Sequence, residues 1–353
     1  MSAAATTNDT VWSAQDTTPA AVEEALRRLL VERHAENDGY VPARVMNLIC
    51  IVERRWSGEI ANRLRRVGRY APSRTIVCAV SDGRRSIDAL ASVAARATPR
   101  DGEHVLTHET VILDIGPGHL ANLDTIVDPL LITDVTTLIW APHAHWEAVE
   151  ALRRISQCVL VDSTAEPDVA GALRRAQMLL ADRYVVDLAW LRTTPWRERL
   201  AMLFDPPRRR ARLRQITSLR IRNARESGAA ALLLCGWLTS RLRWRQGQLV
   251  RDGEGRSLGA MGDVQVQLES VRLDVPGLMG VTLGFADGAE ISLDRGSGGL
   301  HATSRDAGGG ERAWTLLGAS RGEGGILGEG MRQSLLRDPS DRDALDAAAA
   351  MLT

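Results

Sequence analysis

The sequence contains no lysine: all 44 of its cations are arginine, balanced by 44 Asp plus Glu. Equal totals exclude the overall charge that would draw the chain to nucleic acid or a membrane surface. An arginine-only cation set is what GC-rich codon usage produces, and arginine is also the better bidentate holder of carboxylate and phosphate. Paired cysteines are missing too. Cys50, Cys78 and Cys158 sit far apart in apolar, strand-like runs, and Cys235 sits in an apolar helical run. That spacing excludes a zinc framework or a secreted disulfide scaffold and reads as small buried hydrophobes. No apolar run reaches the roughly 20 residues that span a bilayer; the most apolar stretch is Gly228 to Leu238. The opening MSAAATTNDTVW has neither the basic start nor the apolar core of a signal peptide. The expected compartment is the cytoplasm.

Motifs for nucleophilic, phosphate or metal chemistry are also absent. The sequence has no G-x-S-x-G, no Walker loop, no H-E-x-x-H and no C-x-x-C. The expectation is therefore a protein with no catalytic residues, cofactor or metal of its own, although scattered Ser, His and Asp residues can converge in space.

What is present is a globular chain of 353 residues, 44% hydrophobic and 25% charged, long enough for two domains. Thr18 and Pro19 open a first helix. VMNLICIVE, RTIVCAV and HETVILDIG are apolar at nearly every position, the mark of strands covered on both faces. Asp82-Gly83 favours a hairpin, with 86–95 after it readable as strand or helix. TTLIWAP, QCVLVDS and YVVDLAWL alternate with helices over 146–155, from Pro167, and over 196–204. This predicts an α/β fold with a largely parallel or mixed sheet covered by helices.

Beyond Pro207 the pattern changes to a helix over 227–244 and then to period-two strands, with a bulge expected at Glu269-Ser270 and a hairpin at Asp287-Gly288. This predicts a smaller α+β part with an antiparallel sheet. Twelve of the 31 glycines fall between Gly296 and Gly330, predicting mobile loops there. A last helix over 340–352 is expected. Ser163–Pro167 is the most turn-like boundary, giving domains over 1–164 and 165–353.

Gly116-Pro-Gly-His-Leu-Ala121 formally matches a dinucleotide fingerprint, but Pro117 removes a needed N–H and the next strand ends in Pro142-His143 rather than an acid. A plain strand-to-helix turn is the better reading. His143 and His145 have metal-ligand spacing at a strand end, with no third ligand nearby. Residues 192–225 hold eleven Arg against Glu198 and Asp205, an excess that suits phosphates or an acidic protein surface. Trp56, Trp146, Trp190 and Trp196 lie beside Arg or Glu at strand–helix junctions, and Trp and Arg dominate protein interfaces.

Four segments, EIANRLRRVGRYAPSRTI (59–76), LDTIVDPLLITD (123–134), TTLIWAPH (136–143) and DLAWLRTTPWRERLAMLFDPP (187–207), carry a family likeness. From about Val11 to about Trp244 the chain resembles the OpcA family, the glucose-6-phosphate dehydrogenase assembly proteins of actinobacteria and cyanobacteria. The resemblance implies a non-catalytic partner that binds glucose-6-phosphate dehydrogenase and favours its active oligomer in the oxidative pentose phosphate pathway. It brings no catalytic residue to carry over. In cyanobacterial members activation is linked to thiol redox state, a control not extended to these apolar cysteines. Trp56, Arg63, Arg69 and Arg74 in the first matched segment, and Trp190, Arg192, Trp196, Arg197 and Arg199 in the last, are the expected partner contacts. Intramolecular Arg–carboxylate pairing is the competing role for them. The alternative function is a nucleotide- or sugar-phosphate-binding α/β enzyme holding phosphate near Gly116–Ala121 or by Arg69 and Arg74.

Overall fold

The computed structural model describes residues 10–42, 44–67, 73–95, 99–100, 103–252, 255–317, 322–336, 338 and 340–352. They form two compact units, one of Met1–Val161, Arg183–Val186 and Leu327–Leu336, the other of Asp162–Asp182, Asp187–Ile326 and Arg337–Thr353.

The first unit is built on a nine-stranded mixed sheet. Its strands are β1 (Thr10–Ala14), β2 (Tyr40–Pro42), β3 (Met46–Glu53), β4 (Ser73–Val80), β5 (Asp88–Ala95), β6 (Val105–Ile115), β7 (Thr136–Trp140), β8 (Cys158–Val161) and β9 (Tyr184–Asp187). They lie in the order β1-β5-β6-β4-β3-β7-β8-β9, with β2 beside β6. Strands β6, β4, β3, β7 and β8 run parallel. Helices α1 (Pro19–Glu36), α2 (Ser57–Val67), α3 (Leu123–Val127) and α4 (Trp146–Leu152) connect them. The continuous apolar runs are buried as expected: every residue of β4 is buried, and only Glu53 of β3 is not. Each enclosed Ile, Val or Leu contributes about 1.5–3 kcal/mol. Thr18 caps α1 by accepting the Ala21 N–H at 3.3 Å.

One local expectation changes here. Residues 88–95 are a strand, but β5 pairs antiparallel with β6 and β1, not with β4. Asp82-Gly83 is therefore a turn that carries the chain across β6, not a hairpin between neighbours. A 3-10 turn over Arg54–Trp56 precedes α2, and the Ser57 hydroxyl donates to the Arg54 carbonyl at 2.9 Å.

The second unit contains an eight-stranded sheet of β10 (Ile216–Ala224), β11 (Leu249–Arg251), β12 (Arg256–Met261), β13 (Val264–Val271), β14 (Leu278–Phe285), β15 (Glu290–Gly296), β16 (Gly299–Arg305) and β17 (Glu311–Leu317). The order is β11-β12-β13-β10-β14-β15-β16-β17. All pairs are antiparallel except β10 with β13. The helices are α5 (Val169–Leu180), α6 (Leu188–Leu203), α7 (Pro207–Arg210), α8 (Gly228–Leu242) and α10 (Ser340–Ala350), with α9 (Gly322–Leu336) belonging to this unit up to Ile326 and to the first from Leu327. Helix α8 packs on β10 and β13 on one side and on α10 on the other. The α8–α10 crossing is close because Gly236 has no side chain: a Cβ there would sit 2.2 Å from the Ala344 carbonyl oxygen.

The observed class is the expected one, an α/β part followed by a part with a mainly antiparallel sheet, and the Asp287-Gly288 hairpin joins β14 to β15. Three details differ. Helix α6 starts at Leu188 rather than Trp196, carrying Pro195 inside it. No bulge interrupts β13 at Glu269-Ser270; the register shifts are on β10, at Ile216/Ser218 and Arg222/Asn223. The glycine-rich stretch forms β16, β17 and α9 rather than loops, its glycines serving tight turns such as Gly298 and Gly309 at positive φ.

In the first unit Arg74 on β4, only 3% exposed, is held by two carboxylates and a backbone carbonyl. Its Nε donates to Glu109 of β6 at 2.7 Å, and one terminal nitrogen reaches both Glu23 of α1 and the Leu130 carbonyl at 2.8 Å. Arg44 donates to the other Glu109 oxygen at 2.7 Å. Removing one member of a buried pair strands the other and costs about 3–5 kcal/mol. Arg74→Leu is expected to lose about that much in urea unfolding, and Glu109→Leu in the same chain to restore part of it. A single-variant loss below about 1 kcal/mol would show that Arg44 alone neutralises Glu109.

Candidate functional site

Within the first unit the chain crosses back over the sheet at β3, which sets the carboxyl ends of β3 and β7 side by side. Trp56 follows β3 and His143 follows β7; their rings face each other at 6.2 Å, and His143 Nδ1 accepts the Glu53 N–H at 3.3 Å. Trp56 keeps 41% of its surface exposed, and Arg55 lies over its ring. Arg63 is half-buried on α2. Arg69 and Gly68 lie outside the described residues. Arg74 is engaged as described above and offers little to a phosphate.

The histidine pair does not form a metal site. Ala144 between them has φ +58°, so the chain turns and the alternation that would align positions two apart is lost. Burial pushes both imidazoles below their ordinary values. Among the described residues no group of three His, Cys, Asp or Glu side chains is placed to hold a metal ion. The Gly116–Ala121 segment is a 3-10 turn. Gly116 is there because a Cβ would collide with the Arg84 carbonyl, and its N–H donates to His119 Nδ1 at 3.1 Å.

In the second unit the other five predicted residues share α6 but divide between its faces. Asp187 caps the helix, accepting the Ala189 N–H at 2.8 Å and the Ser163 hydroxyl at 2.5 Å. On one face Trp190 is 1% exposed. The Arg197 guanidinium stacks 3.4 Å from its ring centroid, donating to Thr193 and Thr194 and lying 3.7 Å from Asp338. The Trp190 indole N–H donates to Asp338 at 3.3 Å. On the other face Arg192, Trp196 and Arg199 line a cavity of about 230 Å³ with Pro276, Arg295 and Glu323. Arg192 is bidentate to Asp162 at 2.7 and 2.8 Å and also binds Glu323. Arg199 reaches Glu198 and the Leu317 carbonyl, and Arg295 the Leu278 and Pro276 carbonyls. These cations are answered within the unit, and the space is below the about 300 Å³ at which small-molecule sites begin.

The missed members are acidic. Asp341 is 6% exposed at the start of α10; burial, then Asp187 and Asp338, push its carboxyl well up, partly offset by Arg197. Burial and then Asp162 push Asp187 up to about 6 against the Ser163 and Ala189 hydrogen bonds. Burial alone would raise Asp338, but hydrogen bonds from Ser340, the Arg197 charge and the Trp190 N–H hold it below the ordinary range. Burial brings Arg197 down to about 10. This is a buried charge cluster around one cation–π stack.

Two family models match the chain in tandem: the glucose-6-phosphate dehydrogenase subunit N-terminal domain over residues 65–178 and the C-terminal domain over residues 183–341. The chain belongs to the OpcA family of glucose-6-phosphate dehydrogenase assembly proteins. Curated OpcA relatives, each named a putative OxPP cycle protein, agree. The Synechococcus elongatus protein is 29% identical over 173 residues, 48% of this chain and 39% of its own length. The Nostoc punctiforme protein is 34% identical over 131 residues, 36% and 28% of the two lengths. The matches thus span less than two fifths of those relatives. Among solved structures, apo scyllo-inositol dehydrogenase from Lactobacillus casei gives TM-score 0.45 at 11% identity over 88% of this chain and 96% of that one. Gal80p from Kluyveromyces lactis gives 0.44 at 9% over 87% of each. A likeness this loose says nothing of function.

The acidic cluster makes stability depend on pH. Asp187 holds its proton up to about 6 in the folded chain, against an ordinary 3.8, so the folded state binds the extra proton between those values. The stability it contributes is complete below about 4 and lost as pH rises through about 6; a displacement of that size corresponds to about 3 kcal/mol. Asp187→Asn keeps a capping oxygen and never ionises. Its melting temperature is expected to gain on the parent protein between pH 4 and 7, and a difference independent of pH would contradict the assignment.

Proposed function

We propose that this chain is a non-catalytic assembly factor that binds glucose-6-phosphate dehydrogenase and favours its active oligomer. The observation carrying the proposal is the tandem match, in order and over most of the chain, to both domains of a family described as a subunit of that enzyme. Of the predicted contact residues Trp56 presents exposed aromatic surface, whereas the α6 arginines make their hydrogen bonds within the second unit.

Such a factor acts by binding the active oligomer more tightly than the inactive one, which shifts the population toward it. Coupling of about 1–3 kcal/mol, the usual allosteric range, changes the enzyme's apparent substrate affinity about 5–150-fold. The test is to titrate the full chain into purified glucose-6-phosphate dehydrogenase while following activity and oligomer size. A rise in both, saturating with concentration, is expected; constancy of both would refute the proposal. A melting screen with nucleotides and sugar phosphates covers the alternative, because a small-molecule enzyme would be stabilised without any partner.

Redox control is not part of the proposal. All four cysteines are buried, and burial pushes Cys78 and Cys235 up to about 12 and Cys50 upward. The thiolate is the reactive form, so thiol reagents are expected to modify the native chain orders of magnitude more slowly than the urea-unfolded chain. Its effect on the enzyme is expected to be the same after treatment with reductant or oxidant. Rapid labelling of the native chain would overturn this.

A further inference from the structure

A second, larger concavity in the second unit plays no part in the cluster around α6. It encloses about 1090 Å³ and is walled by α7 and the turn after it, the C-terminal end of α8 and the tight turn between β12 and β13. Five arginines line it, Arg210, Arg214, Arg241, Arg243 and Arg245, against one acid, Asp263, a net charge of +4. All five are exposed. Arg210 donates to the Asp205 carbonyl. Among the described residues Arg214, Arg241, Arg243 and Arg245 make no ion pair. By contrast Arg74, Arg192, Arg197, Arg212 and Arg222 all have carboxylate partners. Five like charges around one concavity repel one another, and a cleft lined by one sign focuses the field on an incoming ligand of the other.

The walls are fixed. Arg243 adopts φ +54° as the C-cap of α8, and its N–H and that of Trp244 close the last carbonyls of the helix. Gly262, at φ +61°, brings the β12–β13 turn against the Arg245 backbone. Leu213, Leu242 and Trp244 give the floor apolar surface. The helix dipole accounts for a cation in the last turn of α8. It does not account for Arg210 and Arg214, which arrive from a different element.

We propose that this groove docks an acidic stretch of polypeptide and, on the function proposed above, that the stretch belongs to the glucose-6-phosphate dehydrogenase. Charge complementarity demands an anion, and the form of the site chooses among anions. Compact phosphates are held by helix amino termini and their free N–H groups, whereas α8 turns its carbonyl end to this groove. The volume exceeds the range of about 300–1000 Å³ usual for small ligands. Arginines spread over two elements suit carboxylates spaced along a chain, each met by a separate guanidinium fork, with apolar neighbours on the Leu213–Leu242–Trp244 floor.

The test uses the full chain with Arg214→Glu/Arg245→Glu, two residues that make no ion pair among the described residues, and a control of equal charge change on exposed arginines that do not line the groove, Arg28→Glu/Arg174→Glu. Unchanged melting of both confirms folding. Binding to purified glucose-6-phosphate dehydrogenase is expected to weaken at least about tenfold in the groove variant and to lose salt dependence, with the control near wild type. Equal binding by the groove variant and wild type overturns the proposal and leaves the assembly function standing. If the wild type does not bind the enzyme, the assembly function fails, and the groove is judged on a fluorescent oligo-glutamate peptide alone. Salt-sensitive peptide binding that the groove variant loses supports an acidic-segment site; no binding overturns it. Stronger competition by inorganic pyrophosphate or duplex DNA than by unlabelled peptide, at equal charge, also overturns it.

Discussion

A buried arginine cannot shed its charge, so each one has to meet a carboxylate already in place, and much of this chain's architecture follows from that requirement. Arg74 can lie inside the first unit only because β6 delivers Glu109 and α1 delivers Glu23 to the same point. Arg192 joins α6 to the loop after β8 through Asp162 and to α9 through Glu323. Arg197 is tolerated on a tryptophan face because Asp338 stands beside it. These ties are directional in a way that apolar burial is not. They fix how elements distant in sequence register against one another.

That is also why the fold was more legible in the sequence than the site. Strands such as β3 and β4 announce themselves because both faces are covered and nearly every residue is apolar, and Asp287-Gly288 marks its hairpin by local chemistry alone. Where the outcome depended on remote partners, local pattern misled. Helix α6 hides its first turn in a run, Leu188 to Leu191, that is apolar on every face because every residue of it is buried. The glycines after Gly296 look like loop composition until β15 supplies β16 with a ladder. Trp190, Arg192 and Arg197, singled out as partner contacts, meet aromatic and charged groups of the chain itself, the competing role that the sequence also allowed. Their partners Glu323 and Asp338 lie more than a hundred residues away, and no spacing rule reaches that far.

The distribution of charge separates two tasks. Buried arginines such as Arg74, Arg192 and Arg197 are matched to carboxylates of the scaffold; Arg214, Arg241, Arg243 and Arg245 around the groove make no ion pair among the described residues. A scaffold that spends its matched pairs on rigidity presents its exposed surface without reorganising, which lowers the entropic cost of association. The buried acids Asp187 and Asp341 belong to the scaffold as well, and burial holds both carboxyls above the ordinary range.

The glycine at the α8–α10 crossing has a consequence for how the chain is made. Helix α8 is complete by residue 242, yet the helix that covers it spans Ser340–Ala350, and β11 anchors to the same segment through the Leu249 N–H and the Met351 carbonyl. Until roughly a hundred further residues have left the ribosome, at about 5–20 per second, one flank of an almost wholly apolar helix has no cover. The second unit is thus committed to late closure, and the nascent chain passes through an interval of several seconds in which α8 is the surface most open to chaperones and to misassociation.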